Sequence, residues 1–172
     1  YSICSSPSEN ELRVAIKAVS GGRFSAFANQ YLKKGDIVEV LPPTGKFHST
    51  LDAAQKKQYL AFAAGSGITP IISIIKTVLA TEPASTFTLV YGNRSRNSII
   101  FREALEALKN KFINRFIIIH VLSREQTDAP VNYGRINADK CRQLQSGLLA
   151  WKNIDHFFLC GPQDMIFSVR DF

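Results

Sequence analysis

The sequence predicts an α/β protein in which a doubly wound parallel sheet is preceded by part of an antiparallel β-barrel. Short apolar strands alternate with amphipathic helices after residue 57, which is the pattern of a parallel sheet covered by helices. A glycine loop, Gly65–Pro70, follows the first of these strands and opens a helix. The earlier residues instead carry short strands around a single helix. We therefore divide the chain into a partial barrel, residues 1–48, and an α/β domain, residues 49–172, which begins with the polar linker Ser49–Lys57.

In the N-terminal part, alternating apolar and polar residues predict two strands, Leu12–Val19 and Ile37–Leu41. An amphipathic helix is predicted between them, at Ser25–Leu32. The sequence GGRFS leads into this helix, so we expect Ser25 to cap it and to bind an anion at the helix N-terminus. Three strands or fewer make only part of a barrel.

Strands and helices alternate through the α/β domain. Strand Phe116–Leu122 is almost continuously apolar, as expected for a parallel strand covered on both faces. Thr69 and Pro70 are suitable N-cap and first helical residues, so we expect the helix to start there. The predicted strands are Tyr59–Ala63, Thr86–Tyr91, Phe116–Leu122 and Phe157–Cys160, and the predicted helices are Pro70–Ala80, Ile99–Lys111, Asn137–Gln145 and Gln163–Arg170.

Composition and charge exclude several classes of protein. The chain of 172 residues is 45% hydrophobic and has a net charge of +7, typical of a globular protein that favours anionic partners. No Lys/Arg run exceeds two residues and no nucleic-acid-binding motif is present, so nucleic acid is not the expected partner. No apolar run approaches the ~20 residues of a membrane span. Scattered cysteines and histidines predict neither a disulfide framework nor a metal site, and we expect a cytoplasmic protein.

The candidate binding residues follow the predicted strands, because ligands of open α/β sheets bind beyond the carboxyl ends of the strands. The glycine loop would let a pyrophosphate approach the backbone at a helix N-terminus, although a tight turn without a ligand is the alternative. Arg94 and Arg124 end neighbouring strands and would together bind a 2′-phosphate, or else be solvated loop arginines. Cys160 ends the last strand, where a ligand ring would lie, unless it is a buried core cysteine.

In this order the motifs resemble those of the ferredoxin-NADP reductase superfamily, in which a flavin-binding barrel precedes a nicotinamide-binding α/β domain. Tyr1-Ser2 matches the end of the flavin motif Arg-x-Tyr-Ser, and GGRFSAFANQYLKKGDIVEVLPPTGKF matches the pyrophosphate loop, helix and last barrel strands. AAGSGITP matches the glycine loop, and FLCGPQDM matches the closing Cys-Gly-Pro-x-x-Met. YGNRSRNSIIFREAL, HVLSRE and GRI are most similar to the reductase components of phenylacetyl-CoA epoxygenases and related oxygenases.

The resemblance implies a role for each matched residue. Tyr1 would stack on the isoalloxazine and Ser2 would bond near its N5, with Thr69 close to the flavin and Cys160 against the nicotinamide; these are the implied catalytic positions. The implied FAD-binding residues are Tyr1, Ser2, Lys17, Val19, Gly22, Phe24 and Ser25. The implied nicotinamide-nucleotide-binding residues are Gly65, Gly67, Thr69, Pro70, Arg94, Ser95, Ser123, Arg124, Cys160, Gly161 and Pro162, with Arg102 as a weaker addition.

The resemblance also implies a function. A flavin-dependent oxidoreductase of the phenylacetate-degradation type would pass electrons from NADPH through FAD to an iron–sulfur centre and on to an oxygenase partner, with NADH as the alternative nucleotide. A [2Fe–2S] centre needs four clustered cysteines, so we expect it in a domain outside this sequence, which we take to be a piece of a longer protein. From a different class, a non-catalytic sensor or docking module for nicotinamide nucleotides would keep the same glycine loop.

Overall fold

The computed structural model describes residues 1–172 and is built around a four-stranded parallel sheet with the strand order β3-β2-β1-β4. The predicted doubly wound α/β sheet is confirmed. The order reverses between β1 and β4, and ligands of such sheets bind in the crevice at that point. The strands are β1 (Gln58–Ala64), β2 (Thr86–Asn93), β3 (Phe116–Leu122) and β4 (His156–Cys160), and the helices are α1 (Arg23–Gln30), α2 (Ile68–Thr81), α3 (Arg102–Lys111), α4 (Ala138–Gly147) and α5 (Gln163–Arg170).

The core consists of two apolar layers, one on each face of the sheet. β1 contributes to both, because Tyr59 and Ala61 pack towards α2 while Leu60 and Phe62 pack towards α4 and α5. β3 is an edge strand, and Ile117 is 53% exposed, so the prediction that this strand is covered on both faces is wrong for its outer part. No helix is long and apolar enough to cross a bilayer.

The prediction of two strands in the N-terminal part, Leu12–Val19 and Ile37–Leu41, is wrong. Val14 forms only an isolated antiparallel bridge with Ile3, and the segment Ile37–Leu41 has no regular structure. Both segments alternate like strands, but a strand forms only where a neighbour supplies hydrogen-bond partners. The structure places no neighbouring strand beside either segment, and Ile37 is 96% exposed. The division of the chain at residue 48 stays a prediction.

Among the helices, α1 and α3 start two and three residues away from their predicted starts. α1 begins at Arg23, two residues early, so Ser25 lies inside the helix and does not cap it. Its Oγ instead accepts a hydrogen bond from the Val19 N–H at 3.3 Å. α3 begins at Arg102, later than predicted, because Phe101 has a φ of +60° and a left-handed residue cannot continue the helix.

The loop of residues 4–13 is docked onto α2. The Ser73 hydroxyl donates to the Ser5 carbonyl at 2.7 Å, and the Lys76 ammonium pairs with the Glu9 carboxylate at 2.7 Å. Burial alone would raise the pKa of Glu9, but the hydrogen bonds from Lys76 and from the Ser6 N–H hold it below its ordinary value. The N-terminal segment, which begins with Tyr1-Ser2, is thereby attached to α2.

A buried carboxylate lies at the C-terminal end of α2. Glu82 is fully buried, and its side chain accepts hydrogen bonds from the Tyr59 hydroxyl at 2.9 Å, the Ser85 hydroxyl at 2.7 Å and the Asp52 N–H at 3.2 Å. Arg115 donates to the main-chain carbonyls of Glu82 and Ser85. Burial, followed by the bond to Glu82, raises the pKa of Tyr59 to about 12, so Tyr59 remains a donor.

His120, in β3, should make stability depend on pH. Its Nδ1 is buried without a partner, and burial lowers the pKa of His120 below 6.5. The unfolded chain binds this proton first as pH falls below about 6.5. The contribution of neutral His120 to the free energy of unfolding is therefore fully present above that pH. Below that pH the free energy of unfolding should fall, by at most about 1.4 kcal/mol per pH unit, until the folded form also binds the proton. Urea unfolding between about pH 7.5 and pH 5 measures this.

His120→Gln should flatten the pH dependence, whereas His48→Gln, at an exposed histidine, should leave it unchanged. The same pH dependence in wild type and His120→Gln would contradict the expectation.

Candidate functional site

A cleft of about 1320 Å³ lies across the carboxyl ends of the strands. Pockets for one small molecule usually enclose about 300–1,000 Å³, so this cleft has room for extended ligands. All residues predicted for the site except Pro70, Ser95 and Arg102 line it. The predicted residues that line the cleft are Tyr1, Ser2, Lys17, Val19, Gly22, Phe24, Ser25, Gly65, Gly67, Thr69, Arg94, Ser123, Arg124, Cys160, Gly161 and Pro162.

Gly65 presents open backbone to the cleft. Its φ is +53°, and a Cβ built there would meet no atom within 4 Å. The Tyr91 hydroxyl donates to the Gly65 carbonyl at 3.0 Å, and burial raises the pKa of Tyr91 to about 12, so this donor keeps its proton. The loop is held in place while its outer side stays free for a phosphate group.

The helix after the loop starts earlier than predicted. Gly65–Gly67 forms a 3₁₀ turn that runs directly into α2 at Ile68. Thr69 is therefore not the N-cap; its hydroxyl donates to the Ser66 carbonyl at 3.0 Å. Pro70 lies in the first turn, where its missing N–H has no intrahelical partner to lose, and it does not reach the cleft.

Gly67 is required by the protein's own packing. A Cβ at this position would lie 2.1 Å from the Cys160 carbonyl oxygen and 2.9 Å from the Gly161 nitrogen. The start of α2 therefore approaches the end of β4 more closely than any side chain permits. The two motifs AAGSGITP and FLCGPQDM meet at this contact.

Arg94 and Arg124 are brought together by main-chain pairing that continues past the ends of β2 and β3. The Arg124 N–H donates to the Arg94 carbonyl at 2.8 Å, and the Ser123 N–H donates to the Asn93 carbonyl at 2.9 Å. Both arginines line the cleft, and neither belongs to an ion pair. Two unpaired cations on adjacent strand ends can bind a phosphate group.

Two predicted residues of this region lie elsewhere. Ser95 precedes the short 3₁₀ turn Arg96–Ser98, and its N–H donates to the Ser98 hydroxyl at 3.0 Å. Ser98, not Ser95, lines the cleft. Arg102 pairs with Glu106 at 2.9 Å on α3 and is absent from the cleft lining.

The Cys160 thiol, which lines the cleft, is not an activated nucleophile. The side chain is half-buried, and burial raises the pKa of its thiol. A thiol of raised pKa stays protonated at neutral pH and is a poor nucleophile. A small neutral side chain at this position can contact a flat ring without reacting with it.

Residues of the N-terminal segment line the same cleft. The rings of Tyr1 and Phe24 lie 5.6 Å apart, and Tyr1 is 72% exposed. Ser2, Ser25 and Lys17 line the same cleft. An exposed aromatic ring together with hydroxyl and cationic groups fits a flavin nucleotide, just as the open glycine loop and the arginine pair fit a second nucleotide.

Sequence reasoning missed several residues of the cleft, of which Asn93 and Arg135 matter most. Asn93 is the last residue of β2 and is 9% exposed. Arg135 follows Gly134, whose φ is +108°, and both line the cleft. The signals were a polar residue ending an apolar strand and the arginine within GRI, which was used only for the family resemblance.

Comparison with known proteins gives concordant results. The family profile of the oxidoreductase NAD-binding domain matches residues 62–171. The chain is 44% identical to a subunit of 1,2-phenylacetyl-CoA epoxidase of Escherichia coli K12, over 96% of this chain and 47% of that protein. It is 36% identical to the ferredoxin reductase component of 3-ketosteroid-9-alpha-monooxygenase of Rhodococcus rhodochrous, over 99% of this chain and 44% of that protein.

Among solved structures, ferredoxin-NADP⁺ reductase from Plasmodium falciparum with 2′P-AMP superposes with a TM-score of 0.79 at 26% identity. The match covers 99% of this chain and 70% of that one. The chain spans about half the length of the curated relatives it matches.

Proposed function

Because the chain belongs to the oxidoreductase NAD-binding domain family and has the fold of ferredoxin-NADP reductases, we propose that it is part of a flavin-dependent reductase. The reductase passes electrons from NADPH through FAD to an iron–sulfur centre and on to an oxygenase of the phenylacetyl-CoA epoxidase type. The observation that carries this proposal is that one cleft is lined by most of the residues predicted for each of the two nucleotides. Two relatives are named as a subunit of an epoxidase and as a ferredoxin reductase component of a monooxygenase. These names support an iron–sulfur centre and an oxygenase as the electron acceptors.

When bound, the two cofactors supply hydride and electron transfer, so the protein has to position them and shape their electrostatic environment. Tyr1 provides an aromatic face in the cleft, and the adjacent Ser2 provides a hydroxyl. At the strand ends, Gly65 leaves room for backbone contact with a phosphate, and the protonated thiol of Cys160 gives a neutral wall. None of these roles requires a side chain to transfer a proton.

The nucleotide preference can be tested with two fragments of the cofactor. In calorimetric titrations, 2′-phospho-ADP-ribose should bind at least tenfold more tightly than ADP-ribose, a difference of about 1.4 kcal/mol. Arg124→Gln should remove most of this preference, because it removes one of the two cations of the phosphate pocket. Arg142→Gln is the matched control, since Arg142 pairs with Asp139 on α4 and lies outside the cleft lining.

The outcomes of this titration separate the alternatives. Equal binding of both fragments would assign NADH in place of NADPH, whereas no binding of either would contradict the proposed function. The full-length protein should also purify with FAD and oxidise NADPH with an artificial acceptor. A colourless protein that binds the nucleotide without turnover would instead be a sensor or docking module.

A further inference from the structure

Asn93 carries a hydrogen-bond donor that the protein itself does not use. The residue is 9% exposed, and its Nδ2 is buried without a partner. Burying an unpaired donor costs free energy, and buried side-chain polar atoms in folded proteins are mostly paired. Asn93 lines the cleft, so this amide lies beside the space that a ligand would occupy.

The neighbours of Asn93 define which part of a ligand it faces. In the sheet, Gly92 pairs with Ala64, which precedes the glycine loop, and Asn93 pairs with Leu122, which precedes Ser123 and Arg124. The amide therefore lies between the glycine loop on one side and the arginine pair on the other. The neighbouring Tyr91 hydroxyl donates to the Gly65 carbonyl at 3.0 Å. The Asn93 side chain lies beside the Tyr91 oxygen but forms no hydrogen bond of ordinary geometry with it.

We propose that the Asn93 side chain is a binding residue that donates a hydrogen bond to the pyrophosphate of the nicotinamide nucleotide. This inference rests on the proposed function. A nucleotide with its 2′-phosphate at Arg94 and Arg124 and its nicotinamide near Cys160 has its pyrophosphate between them. Pyrophosphate oxygens only accept hydrogen bonds at neutral pH, and Nδ2 only donates. Unlike another arginine, the amide adds a directional contact without adding charge.

Ligands with and without a pyrophosphate provide the test in the full-length protein. Asn93→Leu keeps the branched shape of the side chain but has no donor, and Asn93→Asp keeps the shape but presents only acceptors. Both variants should bind 2′-phospho-ADP-ribose at least tenfold more weakly than wild type, with Asp the weaker of the two. Both should bind adenosine 2′-monophosphate, which lacks both phosphates of the pyrophosphate, within twofold of wild type.

The stability of the Asn93→Leu variant provides a second readout. Replacing a residue with a merely structural role would lower the urea concentration at which the protein unfolds. Because no protein group uses the Nδ2 donor, Asn93→Leu should unfold at a urea concentration equal to or above that of wild type. Asn97→Leu is the control, because Asn97 is exposed and outside the cleft lining. If leucine at position 93 prevents folding, the aspartate variant alone decides the ligand test.

Three results would overturn the inference. If the Asn93 variants bind 2′-phospho-ADP-ribose as tightly as wild type, or if they lose both ligands equally, Asn93 does not contact the pyrophosphate. If wild type binds neither ligand, the proposed function itself fails, and this inference fails with it.

Discussion

Gly67→Ala is expected to lower the free energy of unfolding by about 3 kcal/mol and to weaken nucleotide binding at least tenfold. The new methyl group would lie 2.1 Å from the Cys160 carbonyl oxygen and 2.5 Å from the Cys160 carbonyl carbon. Both are backbone atoms and cannot rotate away, so α2 and the end of β4 must separate. Separation would displace Cys160 and Gly161 together with the glycine loop, and these residues form one wall of the cleft. Urea unfolding and titration with 2′-phospho-ADP-ribose measure the two effects.

Two other glycines provide matched controls. Gly65→Ala places its methyl group in open space at a φ of +53°, so it should cost only the left-handed backbone strain of about 1–2 kcal/mol while still obstructing the nucleotide. Gly147→Ala, at the end of α4, meets no atom within 4 Å and has no positive φ, so it should be neutral or stabilise by about 0.5 kcal/mol. Equal stabilities of the Gly67 and Gly147 variants would refute the packing explanation.

Glu82→Ala should destabilise the fold by about 3 kcal/mol, because it leaves buried donors unpaired and opens a cavity. The Tyr59 and Ser85 hydroxyls and the Asp52 N–H all donate to this carboxylate. Glu82 lies outside the cleft lining. The loss should therefore appear in urea unfolding, with nucleotide affinity unchanged under conditions where the variant is folded.

A double-mutant cycle isolates the contribution of the hydroxyl. Tyr59→Phe removes one donor, and combining it with Glu82→Ala should cost less than the sum of the two single changes, by about 1 kcal/mol or more. Glu39→Ala, at an exposed carboxylate, should stay within about 0.5 kcal/mol of wild type. Strict additivity of the Tyr59 and Glu82 changes would show that the buried carboxylate does not depend on this hydrogen bond.

The parallel sheet could be predicted from the sequence because its strands are short apolar runs between glycine-rich or polar turns. β3 and α5 have the predicted bounds, and the other strands differ by one or two residues. Helix starts were less predictable, since the 3₁₀ turn before α2 and the left-handed Phe101 are set by tertiary contacts. The strand at Ile37–Leu41 failed because strand formation depends on a neighbouring strand, which an alternating pattern does not contain.

The location of the site followed from topology, because residues after parallel strands meet at one edge of the sheet. Arg94 and Arg124 could therefore be placed together from sequence, and the main-chain bond between them shows how. Asn93 could not be singled out, because an unpaired donor is a property of the surrounding atoms and not of the residue type. Which cofactor atoms these residues contact stays a prediction.

The docking of the loop of residues 4–13 onto α2 has a mechanical consequence. α2 starts at the glycine loop, and Lys76 lies about 12 Å further along its axis at 1.5 Å per residue. A helix of this length behaves as a stiff rod, so a push at its first turn moves Ser73 and Lys76 as well. The loop held by these residues leads back to Tyr1, which lines the same cleft as the glycine loop. The glycine loop and the N-terminal residues of the cleft lining are therefore linked mechanically through α2.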